Sequence, residues 1–256
     1  LFRHKVSKDR PAQADKARII AFLNTTVDLD TILNMCLKMK TPRKLECSVS
    51  DKTRQKILDA TGKVYAHLGY RSMTLREVTR EANVNLAAVN YHFGSKMNLM
   101  RALLRDRFEP INQQRHLLLD QQIEAHAPDP VPLAAIYDSL FRPLFTGIDS
   151  TSAKDTSLIQ IIGRALTEPA EFMRGLHKEF FAELSKRFMG EIQRSCPELS
   201  PEQLQYRFFL SVNTMIGTVI EQVRLETISD GKLDGKNLDR ILKELTAYAV
   251  AGIEQR

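Results

Sequence analysis

The chain has 256 residues, 43% of them hydrophobic, and a formal net charge of +6. That is enough apolar material for a sizeable buried core, while the absence of any apolar run of about eighteen residues excludes a membrane-spanning helix. The three cysteines, Cys36, Cys47 and Cys196, are odd in number and match no metal or redox spacing, which argues against a disulfide framework and for a reduced, cytoplasmic setting. Charge is unevenly distributed. Residues 1–50 carry ten Lys/Arg against five Asp/Glu, residues 51–107 eleven against five, and residues 108–256 sixteen against twenty-one. A basic front and an acidic back suggest a polyanion-binding module joined to one that avoids polyanions.

Residues 1–49 read as a poorly ordered basic extension, with one moderately apolar stretch over 18–39 that could be helical. The chain starts with Leu, lacks a signal-peptide core, and has Met35 and Met39 as candidate starts. From residue 50 onward the pattern is helical. Ile57, Ala60, Val64 and Leu68 share one face of a helix over 51–68, which Gly69 should stop. Thr74 with Glu77 three residues on predicts a capping box, and Leu75, Val78 and Ala82 face inward from that helix. Residues 83–85 allow only a tight turn. Asn85 then caps a helix of about two turns, Gly94 stops it, and Ser95 caps a fourth helix running past Leu104. Further helices are expected over 133–145, around Leu158–Ile161–Ala165, from Pro169 through Phe188, over 202–226 and over 237–253, with a loop at 146–154 and turns at Asp230-Gly231 and Asp234-Gly235. No alternating strand pattern occurs.

Residues 74–93 read TLREVTREANVNLAAVNYHF. Two short helices joined by about three residues have helix-turn-helix spacing. Val84, Ala88, Val89 and Phe93 can pack the second helix onto its neighbours, which leaves Leu86, Ala87 and Asn90 outward. Asn can pair bidentately with adenine, and apolar groups can meet a thymine methyl. Tyr91, His92 and Lys96 sit where such a helix leaves the groove and suit phosphate contacts, as does the helix N-terminus at Thr74. Ordinary solvated surface is the lesser reading for these residues, whereas for Arg71 a free surface charge is nearly as good a reading as a phosphate contact.

The stretch VNLAAVNYHFGSKMNL resembles the signature of TetR-type repressors, with its Tyr/His/Phe cluster followed by Lys96. The resemblance covers residues 51–100, and VNLAAVNYHFGSK is especially similar to a branch containing fatty-acid- and acyl-thioester-responsive regulators. Asn90 and Leu86-Ala87 differ from the aromatic residue and the small pair that many members carry there. The resemblance implies an all-α fold: a three-helix helix-turn-helix DNA-binding domain over 50–96, followed by an all-helical ligand-binding and dimerisation domain over 97–256. It implies double-stranded DNA with a palindromic operator as partner, DNA contacts from Thr74, Asn85, Leu86, Ala87, Asn90, Tyr91, His92 and Lys96, and no cofactor.

The helix over 202–226 carries two apolar stripes. One is Leu204, Phe208, Met215 and Val219, and the other is Phe209, Val212, Ile216, Ile220 and Val223. A helix apolar nearly all round must be buried nearly all round. Together with Leu238, Ile241, Leu242, Leu245 and Tyr248 it is the expected homodimer interface, an intramolecular core being the other option. Phe108, Ile111, Leu140, Phe145, Ile162, Phe172, Met173 and Phe180 are candidate linings for a small-molecule effector, an acyl thioester or fatty acid by the resemblance, although each also suits a plain core. Arg142 and Arg164 are candidate partners for an anionic head group. No Gly-rich phosphate loop, GxSxG or HExxH occurs, and an EF-hand near 226–231 fails at Ile228, so an enzyme and a metal site are not expected. The competing function is a DNA-binding protein of the same fold without an effector.

Overall fold

The computed structural model describes residues 49–147, 153–168 and 170–255, without the side chains of 153–157, 170–174 and 177. The expectations for residues 1–48, and for Phe172 and Met173 as pocket linings, lie outside what is described. Residues 49 onward form one compact unit. No strand occurs among the described residues, and no described helix is long and apolar enough to cross a membrane.

Four helices build the front. α1 (Val49–Ser72) buries Ile57, Leu58, Ala60 and Tyr65. At Gly69 its backbone turns left-handed (φ 73, ψ 171), so the expected stop is a kink from which three more helical residues continue. The positive φ is what requires glycine here, and the space an added Cβ would take is filled by the Arg164 guanidinium. α2 (Leu75–Ala82) begins on the Thr74/Glu77 capping box and ends at Asn83, which adopts the left-handed conformation (φ 48) that asparagine tolerates better than most residues. α3 (Leu86–Phe93) is capped by Asn85, whose side-chain oxygen accepts from Ala88 N at 2.8 Å. Such a cap contributes about 1 kcal/mol. Gly94 (φ 72) ends it, and Ser95 caps the 31-residue α4 (Lys96–His126).

The back is made of α5 (Leu133–Thr146), α6 (Ala153–Ala165), α7 (Ala170–Ser195), α8 (Pro201–Glu221), the short α9 (Arg224–Ile228) and α10 (Leu238–Glu254). The helix expected over 202–226 is therefore two. α8 stops at Glu221, and the chain turns over Gln222 and Val223 before α9. Both linking residues stay in the right-handed helical region, and the turn after α9 brings Gly235 so close to the Gln222 carbonyl that a Cβ there would collide with it.

Two apolar clusters result. The front cluster joins Tyr65, Val78, Val89, Phe93, Leu99 and Leu103, and it includes Ile161 of α6 and Leu176 of α7. The back cluster holds Leu119, Ile136, Tyr137, Phe141, Phe188, Phe208, Met215 and Leu242 among others. Each such side chain contributes roughly 1.5–3 kcal/mol on burial. α4 belongs to both clusters. Its front half is tied to α1 through Arg107, which donates to Asp59 at 2.7 Å and to Asp106 at 2.6 Å. Pro110 follows, a residue that removes one backbone hydrogen bond from a helix interior. The back half then enters the second cluster through Ile111, Arg115 and Leu119.

Candidate nucleic-acid interface

α3 packs against α1, α2 and α4. Its inward residues are Val89, buried, and Phe93, nearly so, with Val84 and Ala88 packed against them. The opposite face carries Leu86, Ala87 and Asn90, all exposed, and Tyr91 is 83% exposed at the end of the helix. Positions 86, 87 and 90 share one face because residues four apart lie one turn above each other. The result is a two-turn helix whose outer face is an aliphatic, a methyl and a carboxamide side chain. Such a face fits the major groove of B-DNA without steric obstruction from long side chains.

The flanking groups are well defined. Thr74 Oγ1 accepts from Glu77 N at 3.3 Å, while the Glu77 carboxylate accepts from Thr74 N at 2.7 Å and from Thr74 Oγ1 at 2.9 Å. Those two bonds from Thr74 hold the Glu77 carboxyl below the usual range. Thr74 itself is exposed at the start of α2. Asn85 is exposed too, but its carboxamide oxygen is committed to the cap, which leaves its NH₂ for other contacts. His92 is half-buried, its ring 5.2 Å from that of Tyr91 in an edge-on arrangement. Lys96 folds back: its Nζ lies 4.5 Å from the centre of the Tyr70 ring and donates to the Arg71 carbonyl at 3.3 Å. Partial burial pushes its ammonium below the ordinary lysine value, against the pull of Glu168 and Glu77. Thr74, Tyr91 and Lys96 thus flank the outer face of α3.

Behind this surface is a junction that motif reading missed. Glu168, just beyond α6, has a side chain only 4% exposed, and it accepts from the backbone N–H of Tyr70 at 2.6 Å. Arg164 on α6 donates to the Leu68 carbonyl at 3.0 Å and lies 3.8 Å from Glu168. Two residues of the back half therefore grip the backbone on both sides of the Gly69 kink, next to the Tyr70 ring that carries Lys96. The 98-residue separation between Tyr70 and Glu168 hides the pairing from any local pattern.

The remaining expectations divide. Ile111, Leu140, Phe145 and Ile162 are buried in the back cluster, Phe108 packs edge-on against Phe181 at 5.3 Å, and Phe180 is half-buried beneath Arg105. Arg142 does not wait for an anion. It makes a two-pronged bond to Asp138 at 2.7 and 2.6 Å, and Arg164 is committed to the junction. Of the second stripe expected over 202–226, Phe209 and Val223 are more than 60% exposed, whereas Ile241, Leu242 and Leu245 of α10 are buried inside the protomer. Those three belong to an intramolecular core, whereas Tyr248 of the same expected set is 68% exposed.

Comparison with known proteins agrees with the geometry. The profile of bacterial regulatory proteins of the tetR family matches residues 57–103, and that of the tetracyclin repressor-like C-terminal domain matches residues 138–252. The HTH-type transcriptional regulator SrpR of Pseudomonas putida is 36% identical over 62 residues, which is 24% of this chain and 29% of SrpR. The chain thus spans under a third of that curated relative's length. Among solved structures, the transcriptional regulator FadR from Bacillus subtilis in complex with stearoyl-CoA superposes with a TM-score of 0.52 at 17% identity, over 77% of this chain and 98% of that one. A SmeT–triclosan complex gives 0.50 at 16% identity, over 77% and 91%. At such identities these two speak for the fold alone. With a helix-turn-helix in front, a helical C-terminal domain behind, and both halves matched, the chain belongs to the TetR family of bacterial regulatory proteins: it is a DNA-binding transcriptional regulator and not an enzyme.

Proposed function

We propose that the protein is a homodimeric cytoplasmic repressor that reads a palindromic operator with α3 and releases it when a small apolar effector enters the helical back half. The observation that carries the reading is the outer face of α3. Leu86, Ala87 and Asn90, with Tyr91 beyond them, are the exposed residues of a helix otherwise fixed to three others. In this reading Asn90 pairs with a base edge, Leu86 and Ala87 meet thymine methyls, and Asn85, Tyr91, His92, Lys96 and the N-terminus at Thr74 hold phosphates. Two copies are needed because half-sites lie about 34–36 Å apart. The exposed Tyr206, Phe209, Leu210 and Tyr248 supply a self-complementary apolar surface for the pairing. The effector acts by moving the two α3 helices off that spacing through α4, which runs from the DNA-binding unit into the back cluster. FadR bound to stearoyl-CoA and SmeT bound to triclosan, both of the same fold, support an effector with a large apolar body.

Selection of duplexes from a random pool, followed by anisotropy titration, tests the reading. An inverted repeat bound by two protomers is expected. Equal affinity for every duplex at moderate salt overturns it.

A further inference from the structure

Among the sixteen cations of the acidic half, Arg115 stands apart. It is 4% exposed, and no salt bridge pairs it among the described residues. Its Nε donates to the Leu140 carbonyl at 2.7 Å, and one terminal nitrogen donates to Asn112 Oδ1 at 3.0 Å. The other terminal nitrogen faces only Met215 Sδ, at 3.9 Å. A thioether is a weak acceptor for one of the strongest donors in proteins. Leu140, whose carbonyl Arg115 meets, and Leu119, one helical turn further on from Arg115, are buried members of the back cluster. Burial alone pulls the Arg115 pKa down to about 10. His116 beside it is held below its usual value, chiefly by burial and then by the neighbouring Arg187 and Arg115 charges, which Asp120 only partly offsets.

A buried cation without an anion is costly, because it forfeits hydration and gains no opposite charge in return. Fold stability gives no reason to keep it, since an apolar residue of the same volume usually does as well or better. The cost is recovered if an anion arrives. A carboxylate offers oxygens to the side of the guanidinium that Met215 now occupies, in the geometry that makes Arg–carboxylate bonds strong. Met215 is an unbranched, adaptable side chain suited to moving aside. We propose, resting on the repressor reading, that Arg115 is the anion-accepting residue of the effector site, and that the effector bears, beside its apolar body, an acidic head group that displaces Met215 from the guanidinium.

The placement gives such a ligand a lever. Arg115 lies nineteen residues beyond Lys96 on the same helix, about 28 Å along its axis. Pro110 lies within the helix between the two. Asn112, which accepts from Arg115, also donates to the Phe180 carbonyl of α7 at 3.0 Å. Met215 lies on α8, whose opposite face is the exposed apolar surface. Moving Met215 and reorienting Arg115 thus acts on the helix that carries the reading unit and on the helix that faces the partner copy.

The test compares the full-length protein with its Arg115→Met and Arg115→Lys variants. Melting temperature is read with oleate, with methyl oleate and with oleoyl-coenzyme A, and operator binding is read by anisotropy. Arg115→Met is expected to bind operator as the parent does and to melt at least as high. Oleate or oleoyl-coenzyme A should raise the melting temperature of the parent and weaken its operator binding by about 5–150-fold. Methyl oleate should do neither, Arg115→Met should lose both responses, and Arg115→Lys should keep part of each. Response to oleate locates the anion on a free carboxylate, and response to the thioester alone locates it on the coenzyme phosphates. Three results overturn the proposal: no response by the parent, equal responses to oleate and methyl oleate, or an undiminished response in Arg115→Met. Failure of the repressor reading shows separately, as absence of specific operator binding in all three proteins.

Discussion

Replacing Glu168 by Ala tests whether the back half holds the reading unit through the Gly69 junction. The Glu168 carboxylate is 4% exposed and accepts from Tyr70 N at 2.6 Å. Its removal leaves a part-buried amide without its acceptor, at about 1–3 kcal/mol. The lost proximity to Arg164 adds little, because that contact is already 3.8 Å and the Arg164 Nε has no hydrogen-bond partner. A loss of about 2 kcal/mol is expected, or a fall of about 4–8 °C in melting temperature for a unit of this size. Glu168→Gln keeps an oxygen in place and should lose less than half as much. Circular dichroism melts and urea midpoints measure both variants. Glu168→Ala within about 0.5 kcal/mol of the parent refutes the junction, because that is the spread of an ordinary surface substitution.

At the reading surface, Asn90→Ala should relax base preference at one position of the half-site, costing roughly 1–3 kcal/mol of discrimination, whereas Lys96→Ala should weaken all duplexes alike and lower the salt slope by about 1. An unchanged selected motif for Asn90→Ala means α3 is turned the other way. Phe209→Arg should convert a dimer to a folded monomer, read by light scattering coupled to gel filtration, and an unchanged mass puts the partner interface elsewhere than on α8. Tyr137 donates to or accepts from Ser211 at 3.1 Å, and its phenol is pushed up to about 12, chiefly by burial. Because the folded value lies above the ordinary one of 10.0, the neutral phenol's contribution is fully present below about pH 10. It is lost as pH rises through the folded value. Tyr137→Phe should flatten alkaline unfolding over that window, and an identical alkaline profile would contradict this burial.

The front half was legible almost residue by residue because its signals are short-range. The Thr74/Glu77 box, the Asn85 and Ser95 caps and the Gly94 stop act on their own backbone within three or four positions, and each stands where expected. The inward set Val78, Ala82, Val89 and Phe93 followed from the same periods. What was not legible depends on distant chain. Gly235 packs against the Gln222 backbone just past Glu221, and the kink at Gly69 is gripped by Arg164 and Glu168. Arg142 and Arg164, the candidate partners for an anionic head group, are engaged within the protomer, for a reason that the sequence does contain. Arg142 and Arg164 each have an acid four residues away, Asp138 and Glu168, whereas Arg115 has Ile111 and Leu119 at those positions. A cation centred in an apolar stripe with no local acid is the signal that singles out Arg115.

The central claim is that α3 reads a specific duplex as part of a pair. The most direct measurement is a titration of the protein against its selected inverted repeat and against a scrambled duplex, at several salt concentrations, with stoichiometry read by native mass spectrometry. Specific regulators bind their sites typically 10³–10⁷ tighter than other DNA, on the order of 4–10 kcal/mol. A gap of that order is expected for two protomers per repeat, with steep salt dependence for both duplexes. Equal affinity for the two duplexes, or one protomer bound per repeat with full affinity, would contradict it.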